Sequence, residues 1–386
     1  MAAASALLLM VAACLVVRLA EGQGLVPAVM IFGDSVVDTG NNNYLLTLVK
    51  SNFPPYGRDF GTRGAPTGRF CNGKLATDFT VENLGFSSYP PAYLSREATG
   101  KNLLTGANFA SAASGYLDRT ANLYHAISLT QQLENYKEYQ SKVENIVGGR
   151  AKAAGIFSGA INILSAGSSD YVQNYYINPL INEAYTPDQF ANLLVLSFGS
   201  FVQNMYGLGA RRIGVTSLPP IGCLPAAITL FGGGSNNCVD RLNNDAVAFN
   251  KKVSAAAETL KKSHSDLKLV IFDVYNPLLD LIKNPGNNGT AKYLPLQHFH
   301  FSLMDLLFIS NFVLTFLILH VKGFFEARKA CCGTGTIETS LLCNAKSPGT
   351  CANATGYVFW DSFHPSEAAN KILADALLLQ GIELIS

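Results

Sequence analysis

The sequence predicts an α/β domain built on a mainly parallel sheet with helices on both faces. Three observations predict it. Short apolar runs alternate with helix-length amphipathic stretches along most of the chain, the pattern of β–α–β units. No internal repeat and no linker rich in Pro, Gly or Ser divides the 386 residues, a length that one large core can hold. Hydrophobic residues make up 48% against 14% charged, so the chain can fill a core and lacks the composition of a disordered segment.

Taken in order, residues 6–17 are an unbroken run of apolar or small side chains, followed by Ala20 and Gly22 at a cleavage-like position. The run is short for a bilayer span, and residues 1–22 read as a secretory leader, leaving one domain at 25–386. Residues 26–32 form an apolar run ending in Gly33-Asp34-Ser35, a buried strand feeding a functional loop. Ser128 and Gln131 have capping-box spacing and open a polar helix. Residues 160–164, 212–216 and 267–274 read as further strands, and 187–208 and 239–262 as helices. A last helix runs from about 365 to 379, with Pro365 suited to its first position. In such sheets sites form in the crevice at the carboxyl ends of the strands.

Residues 290–323 break this order as an apolar insertion. They hold His298, His300 and His320, half of the six histidines, but H-x-H with a distant third is not a specific metal signature. Residues 306–319 lack formal charge, yet Ser310, Asn311 and Thr315 interrupt a run too short to span a membrane. No stable membrane anchor is expected.

Lys+Arg is 28 against Asp+Glu 27, so no basic excess exists to neutralise a phosphate backbone, and nucleic acid is excluded as the main partner. Beyond the leader stand Cys71, Cys223, Cys238, Cys331, Cys332, Cys343 and Cys351. None has C-x-x-C spacing, and four cluster near the C-terminus, which fits disulfides in an oxidising compartment. Seven is odd, and the isolated Cys71 is the expected free thiol; the pairing of the rest stays open. The sequon Asn353-Ala354-Thr355 also fits a secreted glycoprotein.

H-E-x-x-H, the Walker loop and G-x-S-x-G are absent, and Gly207-Leu208-Gly209 is followed by Gly214, which fails dinucleotide spacing. What remains is Ser35 on the loop after the first strand, and Asp361 three residues before His364. In a turn that spacing brings carboxylate and imidazole to one side, so that Asp361 fixes the tautomer of His364 and stabilises its imidazolium. Alone, Gly-Asp-Ser is most often only a turn, and Asp-x-x-His a surface turn or helix cap. Together they supply the three members of a nucleophilic triad, whose parts are normally distant in sequence.

These residues carry a resemblance. Phe32-Gly-Asp-Ser-Val-Val-Asp-Thr-Gly-Asn-Asn-Asn43 resembles the first block of the plant GDSL esterase/lipase family of SGNH hydrolases. Gly106-Ala-Asn-Phe-Ala-Ser-Ala-Ala-Ser-Gly115 is similar to the second, Ser165-Ala-Gly-Ser-Ser169-Asp170-Tyr171 occupies the place of the third, and Asp361-Ser-Phe-His364-Pro365 matches the last. Ser217-Leu-Pro-Pro-Ile-Gly-Cys-Leu-Pro225 and Cys331-Cys332-Gly333 are also family-like. The resemblance implies a flavodoxin-like three-layer α/β/α fold, with Ser35 as nucleophile, His364 as general base and acid, and Asp361 as its orienter. It implies an oxyanion hole made by the amide N–H of Ser35 and of a second-block glycine. Gly115 is preferred to Gly106 because it follows the Ser/Ala run, where the loop should turn. The third block usually reads Gly-x-Asn-Asp; here Ser169 stands at the Asn, a shorter and freely rotating donor.

The second departure is the insertion. Family members pass directly from a stretch like Asn284-Pro-Gly-Asn-Asn-Gly289 to one like Phe324-Phe-Glu-Ala-Arg328, and removing 290–323 restores that junction. Its Phe-, Leu- and Ile-rich composition is what T-rich noncoding sequence would encode if retained in the transcript. The expectation is therefore a secreted serine esterase/lipase of the extracellular space or cell wall, needing no metal or organic cofactor. Its substrate would be an acyl ester (lipid, cutin-like polyester or acetylated polysaccharide). Two alternatives share the fold: an acyltransferase on the same triad, and a catalytically weak or inactive extracellular binding protein.

Overall fold

The computed structural model describes residues 24–62, 64–287 and 323–386. Five strands form the central sheet: β1 (Val29–Gly33), β2 (Gly106–Asn108), β3 (Ile161–Ser165), β4 (Arg212–Thr216) and β5 (Lys268–Phe272). They pair in the order β2-β1-β3-β4-β5, and every pair is parallel. This is the flavodoxin-like order, in which the chain winds first to one side of β1 and then to the other. The crevice opens where winding reverses, at the carboxyl ends of β1 and β3, and the register sets Gly33 beside Ser165 there.

β1 and β3 are buried on both faces, and their alternate residues divide between two cores. Met30, Phe32 and Leu164 face the larger core, with Phe109, Tyr136, Phe198 and Phe249. Val29, Ile31, Ile161 and Ile163 face the smaller one, with Leu84, Phe272 and Leu384. The four strands expected from apolar runs are β1, β3, β4 and β5. β2 has no such run: it is three residues long, and its buried Asn108 donates to the Val37 carbonyl at 2.7 Å and accepts from the Ala110 amide at 3.0 Å.

The main helices are α1 (Ala76–Asn83), α2 (Leu129–Val147), α3 (Arg150–Gly159), α4 (Pro187–Gly207), α5 (Asp240–Ser263), α6 (Tyr275–Lys283) and α7 (Glu367–Leu378). α2 to α5 cover the larger core. α4 buries Phe190, Leu194, Phe198, Phe201 and Met205 at helical spacing, behind a full Thr186–Gln189 capping box with Pro187 at its first position. At α2 the box is half formed: Ser128 accepts from the Gln131 amide at 3.3 Å, while the Gln131 carboxamide turns forward to Asn135. α1, α7 and the C-terminal turn Ile382–Ile385 cover the other face. α7 starts two residues later than expected, because Ser366 caps it by accepting from the Ala369 amide at 3.2 Å. Pro365 sits before the cap, bridged to Phe359.

A second, two-stranded parallel sheet pairs β6 (Glu326–Ala330) with β7 (Tyr357–Phe359). Disulfides Cys331–Cys351 and Cys332–Cys343 staple the loop between these strands, and Cys223–Cys238 ties the start of α5 to the Pro-rich turn after β4. Among the described residues Cys71 is the free cysteine; it is buried, and burial pushes its thiol up. The expected leader 1–22, and the insertion apart from Gly323, lie outside the described residues, as do its histidines and the 306–319 run. The flanks of the insertion are adjacent: a Cβ on Gly323 would sit 2.5 Å from the Gly286 carbonyl oxygen. Among the described residues no helix is long and apolar enough to cross a membrane.

Candidate active site

The site starts at the turn that leaves β1. Gly33 has φ +133°, and a Cβ there would lie 1.8 Å from the Ser165 carbonyl oxygen, so only glycine lets β1 and β3 approach this closely. The Asp34 amide donates to that same carbonyl at 2.9 Å, and the Val37 and Asp38 amides fold back onto the Asp34 carbonyl. From α2, the Gln132 carboxamide brackets Gly33: its oxygen accepts from the Gly33 amide and its nitrogen donates to the Gly33 carbonyl, both at 2.9 Å. The turn is held on two sides, and Ser35 projects from it into the crevice.

The opposite wall is the turn from β7 into α7. The Trp360 amide donates to the His364 carbonyl, and the Cys332 amide to the Trp360 carbonyl, so the disulfide-stapled loop anchors this turn. Asp361 Oδ1 accepts from the amides of Phe363 (3.0 Å) and His364 (2.9 Å) and lies 2.7 Å from His364 Nδ1. Its Oδ2 accepts from the Tyr56 hydroxyl at 2.6 Å and from Thr339 Oγ1 at 3.0 Å. The carboxylate is fully buried and meets five donors, which stabilises its charge where water cannot. His364 Nε2 lies 2.7 Å from Ser35 Oγ. Ser35, His364 and Asp361 thus form one hydrogen-bonded chain.

The second and third blocks meet at Asp170. Its carboxylate accepts from the Tyr116 amide (2.6 Å), the Leu117 amide (3.2 Å) and Thr120 Oγ1 (2.6 Å). A Cβ on Gly115 would lie 2.5 Å from both carboxylate oxygens, so the loop packs there only with glycine. Gly106 stands elsewhere: it pairs with Val29, at the end of the sheet away from Ser35. Among the described residues neither the Ser35 nor the Gly115 amide has an intramolecular acceptor. Ser35 lines the crevice in front of His364, and the Gly115 loop packs behind it on Asp170. Ser169 is buried and lines the same space.

The rest of the first block holds the second in place. Asp38 Oδ2 accepts from the Ala112 amide, and Asn41 Nδ2 donates to the carbonyls of Asn108 and Ala110. Asn42 Nδ2 donates to the Ala112 carbonyl, and Ser111 donates to Asn42 Oδ1. Next to this clamp Ala113 has φ +69°, a left-handed conformation unusual for a residue with a side chain. Burial lifts three carboxyls around the site: Asp34 to about 7, Asp38 and Asp170 to about 6. Asp34 rises furthest because its carboxylate takes only the Val36 amide, at 3.1 Å, while Asp38 and Asp170 each take three donors.

Residues 29–377 match the model of the GDSL-like Lipase/Acylhydrolase family. The chain belongs to that family. A GDSL esterase/lipase of Arabidopsis thaliana, At5g03810, is 60% identical over 98% of this chain and 97% of its own length. Another from the same plant, GDSL esterase/lipase APG, is 59% identical over 94% of this chain and 92% of its own. The GDSL member described here is accordingly a carboxylic ester hydrolase, and its parallel sheet between helical layers is the family's SGNH fold. Sequence reading of this GDSL chain passed over Tyr56, Thr339 and Gln132. None has a local signal, since each meets its partner from 305, 22 and 99 residues away. Asp170 was within reach, being the residue after Ser169 in the third block.

Proposed function

We propose that this chain is a secreted serine esterase that cleaves acyl esters through an acyl-enzyme on Ser35. The observation that carries the reading is the chain of two 2.7 Å contacts from Ser35 Oγ to His364 Nε2 and from His364 Nδ1 to Asp361 Oδ1. With Nδ1–H donated to Asp361, Nε2 carries the lone pair that takes the Ser35 proton as Oγ attacks the ester carbonyl carbon. The carbonyl π electrons move onto oxygen, and the tetrahedral oxyanion is held by the Ser35 and Gly115 amides and the Ser169 hydroxyl. Collapse expels the alcohol, which takes its proton from His364. Water then gives a proton to His364 and its oxygen to the acyl carbon; on collapse the Ser35 Oγ–acyl bond breaks, Oγ takes that proton from His364, and the acid is released.

Secretion is supported by the leader-like residues 1–22 and by three disulfides, which persist in oxidising compartments. Asn353 of the sequon is exposed, as glycosylation requires. The test is labelling of the secreted protein with a fluorophosphonate and location of the modified peptide by mass spectrometry. Label on Ser35 that disappears in His364→Ala supports the reading; label elsewhere, or none, overturns it.

A further inference from the structure

Gln132 is a polar side chain at a core position. It lies in the first turn of α2, on the helical spacing that buries Leu129, Leu133, Tyr136, Tyr139 and Val143 in the larger core, and it is itself fully buried. Packing alone would place leucine or methionine there, because a buried carboxamide costs stability unless its hydrogen bonds are made. Here they are made, and all of them leave the helix. Oε1 accepts from the Gly33 amide and Nε2 donates to the Gly33 carbonyl, both at 2.9 Å. Nε2 also donates to Ser114 Oγ and to the Ile127 carbonyl, each at 3.2 Å. A backbone amide only donates and a carbonyl only accepts, so Gly33 fixes which way the carboxamide points.

These partners belong to separate segments. Gly33 stands two residues before Ser35, and Ser114 stands immediately before Gly115; the Ser35 and Gly115 amides are the pair that hold the oxyanion in the proposed mechanism. Ile127 closes the ring: its amide donates to Ser111 Oγ at 3.0 Å, and the Ser111 amide donates to the Gly33 carbonyl at 3.0 Å. Among the described residues Ser114 Oγ has no hydrogen-bond partner besides Gln132. An oxyanion hole works only while its donors are held within about 0.5 Å of the productive geometry. We infer that Gln132 is a positioning residue for the oxyanion hole: its one carboxamide ties the turn that carries Ser35 to the loop that carries Gly115 and so sets the spacing of the two amides. This rests on the reading of Ser35 as the nucleophile.

The test is Gln132→Met in the full chain, assayed on p-nitrophenyl acetate. Methionine keeps the length and bulk of the side chain and removes all four hydrogen bonds. Acylation and deacylation each pass through an oxyanion, so both steps should slow together. kcat per fluorophosphonate-titrated Ser35 should fall at least about tenfold, while KM changes by less than about threefold. A Gln132 that only holds the fold would lower the unfolding midpoint and leave kcat per titrated site within about twofold of wild type, and that result overturns the inference. Ser114→Ala removes the link to the Gly115 loop alone and spares both bonds to Gly33, so it decides the matter if Gln132→Met does not fold. Its kcat should fall about threefold or more at unchanged KM, and a kcat equal to wild type overturns the link. Added to Gln132→Met, Ser114→Ala should cost nothing further, because the contact is already lost; losses that multiply overturn the coupling. Label on wild-type Ser35 with both variants at wild-type kcat overturns the positioning role alone. Absence of label on wild-type Ser35 overturns the serine reading, and the positioning role with it.

Discussion

Tyr56 donates a 2.6 Å hydrogen bond to Asp361 Oδ2 from 305 residues away in the chain. The same hydroxyl accepts from the Ser340 amide at 2.8 Å, so it joins the disulfide-stapled loop to the carboxylate behind His364. Burial and the adjacent Asp361 charge push Tyr56 well above the usual phenol range, which keeps it a donor at every working pH. Tyr56→Phe leaves Asp361 with Thr339 alone on Oδ2 and strands the Ser340 amide. Stability should fall by about 1–3 kcal/mol, the usual cost of an unmade buried hydrogen bond. With Asp361 held less firmly behind His364, kcat on an ester substrate should fall by up to about tenfold. A kcat identical to wild type would remove Tyr56 from the positioning of Asp361 and leave it a packing role.

In the proposed mechanism, Ser169 is the point at which the oxyanion hole can be varied without touching the backbone. It stands where the family block usually has Asn, and among the described residues no hydrogen bond fixes its hydroxyl. Removing a full oxyanion donor costs about 10²–10³ in kcat. A rotating hydroxyl supplies less, so Ser169→Ala should cost only about tenfold, and Ser169→Asn should raise kcat above wild type. If Ser169→Asn is no faster and Ser169→Ala is harmless, the residue only fills space beside Ser35.

Much of the site was legible because its chemistry sits in short motifs. Ser35 follows a strand on a glycine turn, and Asp361 and His364 share one turn. Gln132, Thr339 and Tyr56 were not legible, since only the folded chain brings each to its partner. β2 escaped for a different reason: its middle is Asn108, whose side chain binds loops and gives no hydrophobic alternation. The start of α7 was misplaced because Pro365 and Ser366 both carry helix-start signals, and the cap hydrogen bond decides for Ser366. The disulfide pairing stayed open because it depends on loop packing; only Cys71, far from the rest in sequence, could be singled out.

Asp34 sets a pH dependence of stability. Burial lifts its carboxyl from 3.8 to about 7, against the pull of the Val36 amide and of His364. The folded chain therefore holds this proton more tightly than the unfolded chain. The resulting stabilisation is complete below about pH 4 and is lost as pH rises through 7. At about 1.4 kcal/mol per unit, the upper figure for this group is about 4 kcal/mol. Asp38 and Asp170 contribute in the same direction, their stabilisation lost from about pH 4 upward and gone once pH passes about 6. Chemical denaturation should thus give lower stability at pH 8 than at pH 5, with a smaller difference in Asp34→Asn, which keeps the Val36 contact and cannot ionise. Equal pH slopes in the two proteins would rule out Asp34 as the source.

The flanks of the insertion lead to the last prediction. Gly323 packs against Pro285 and Gly286 so closely that a Cβ would lie 2.7 and 2.5 Å from their carbonyl oxygens. Immediately after it Phe324 is buried and the Phe325 amide donates to the Gly356 carbonyl at 2.9 Å, so the turn before β7 fixes the re-entry point. Removing residues 290–323 leaves Asn288 and Gly289 to join Asn287 to Phe324, a reach of about 10 Å. Gly323 and Gly286 are already in contact one residue from either end of that bridge, and a shorter loop costs less entropy to close. The shortened chain should fold with an unfolding midpoint equal to or above that of the full chain and should label on Ser35 to the same extent. Transcript reads joining Gly289 directly to Phe324 are expected on the same grounds. A shortened protein that is insoluble, or that melts more than about 5 °C lower, equivalent to roughly 2 kcal/mol at this size, would mean that residues 290–323 are part of the fold.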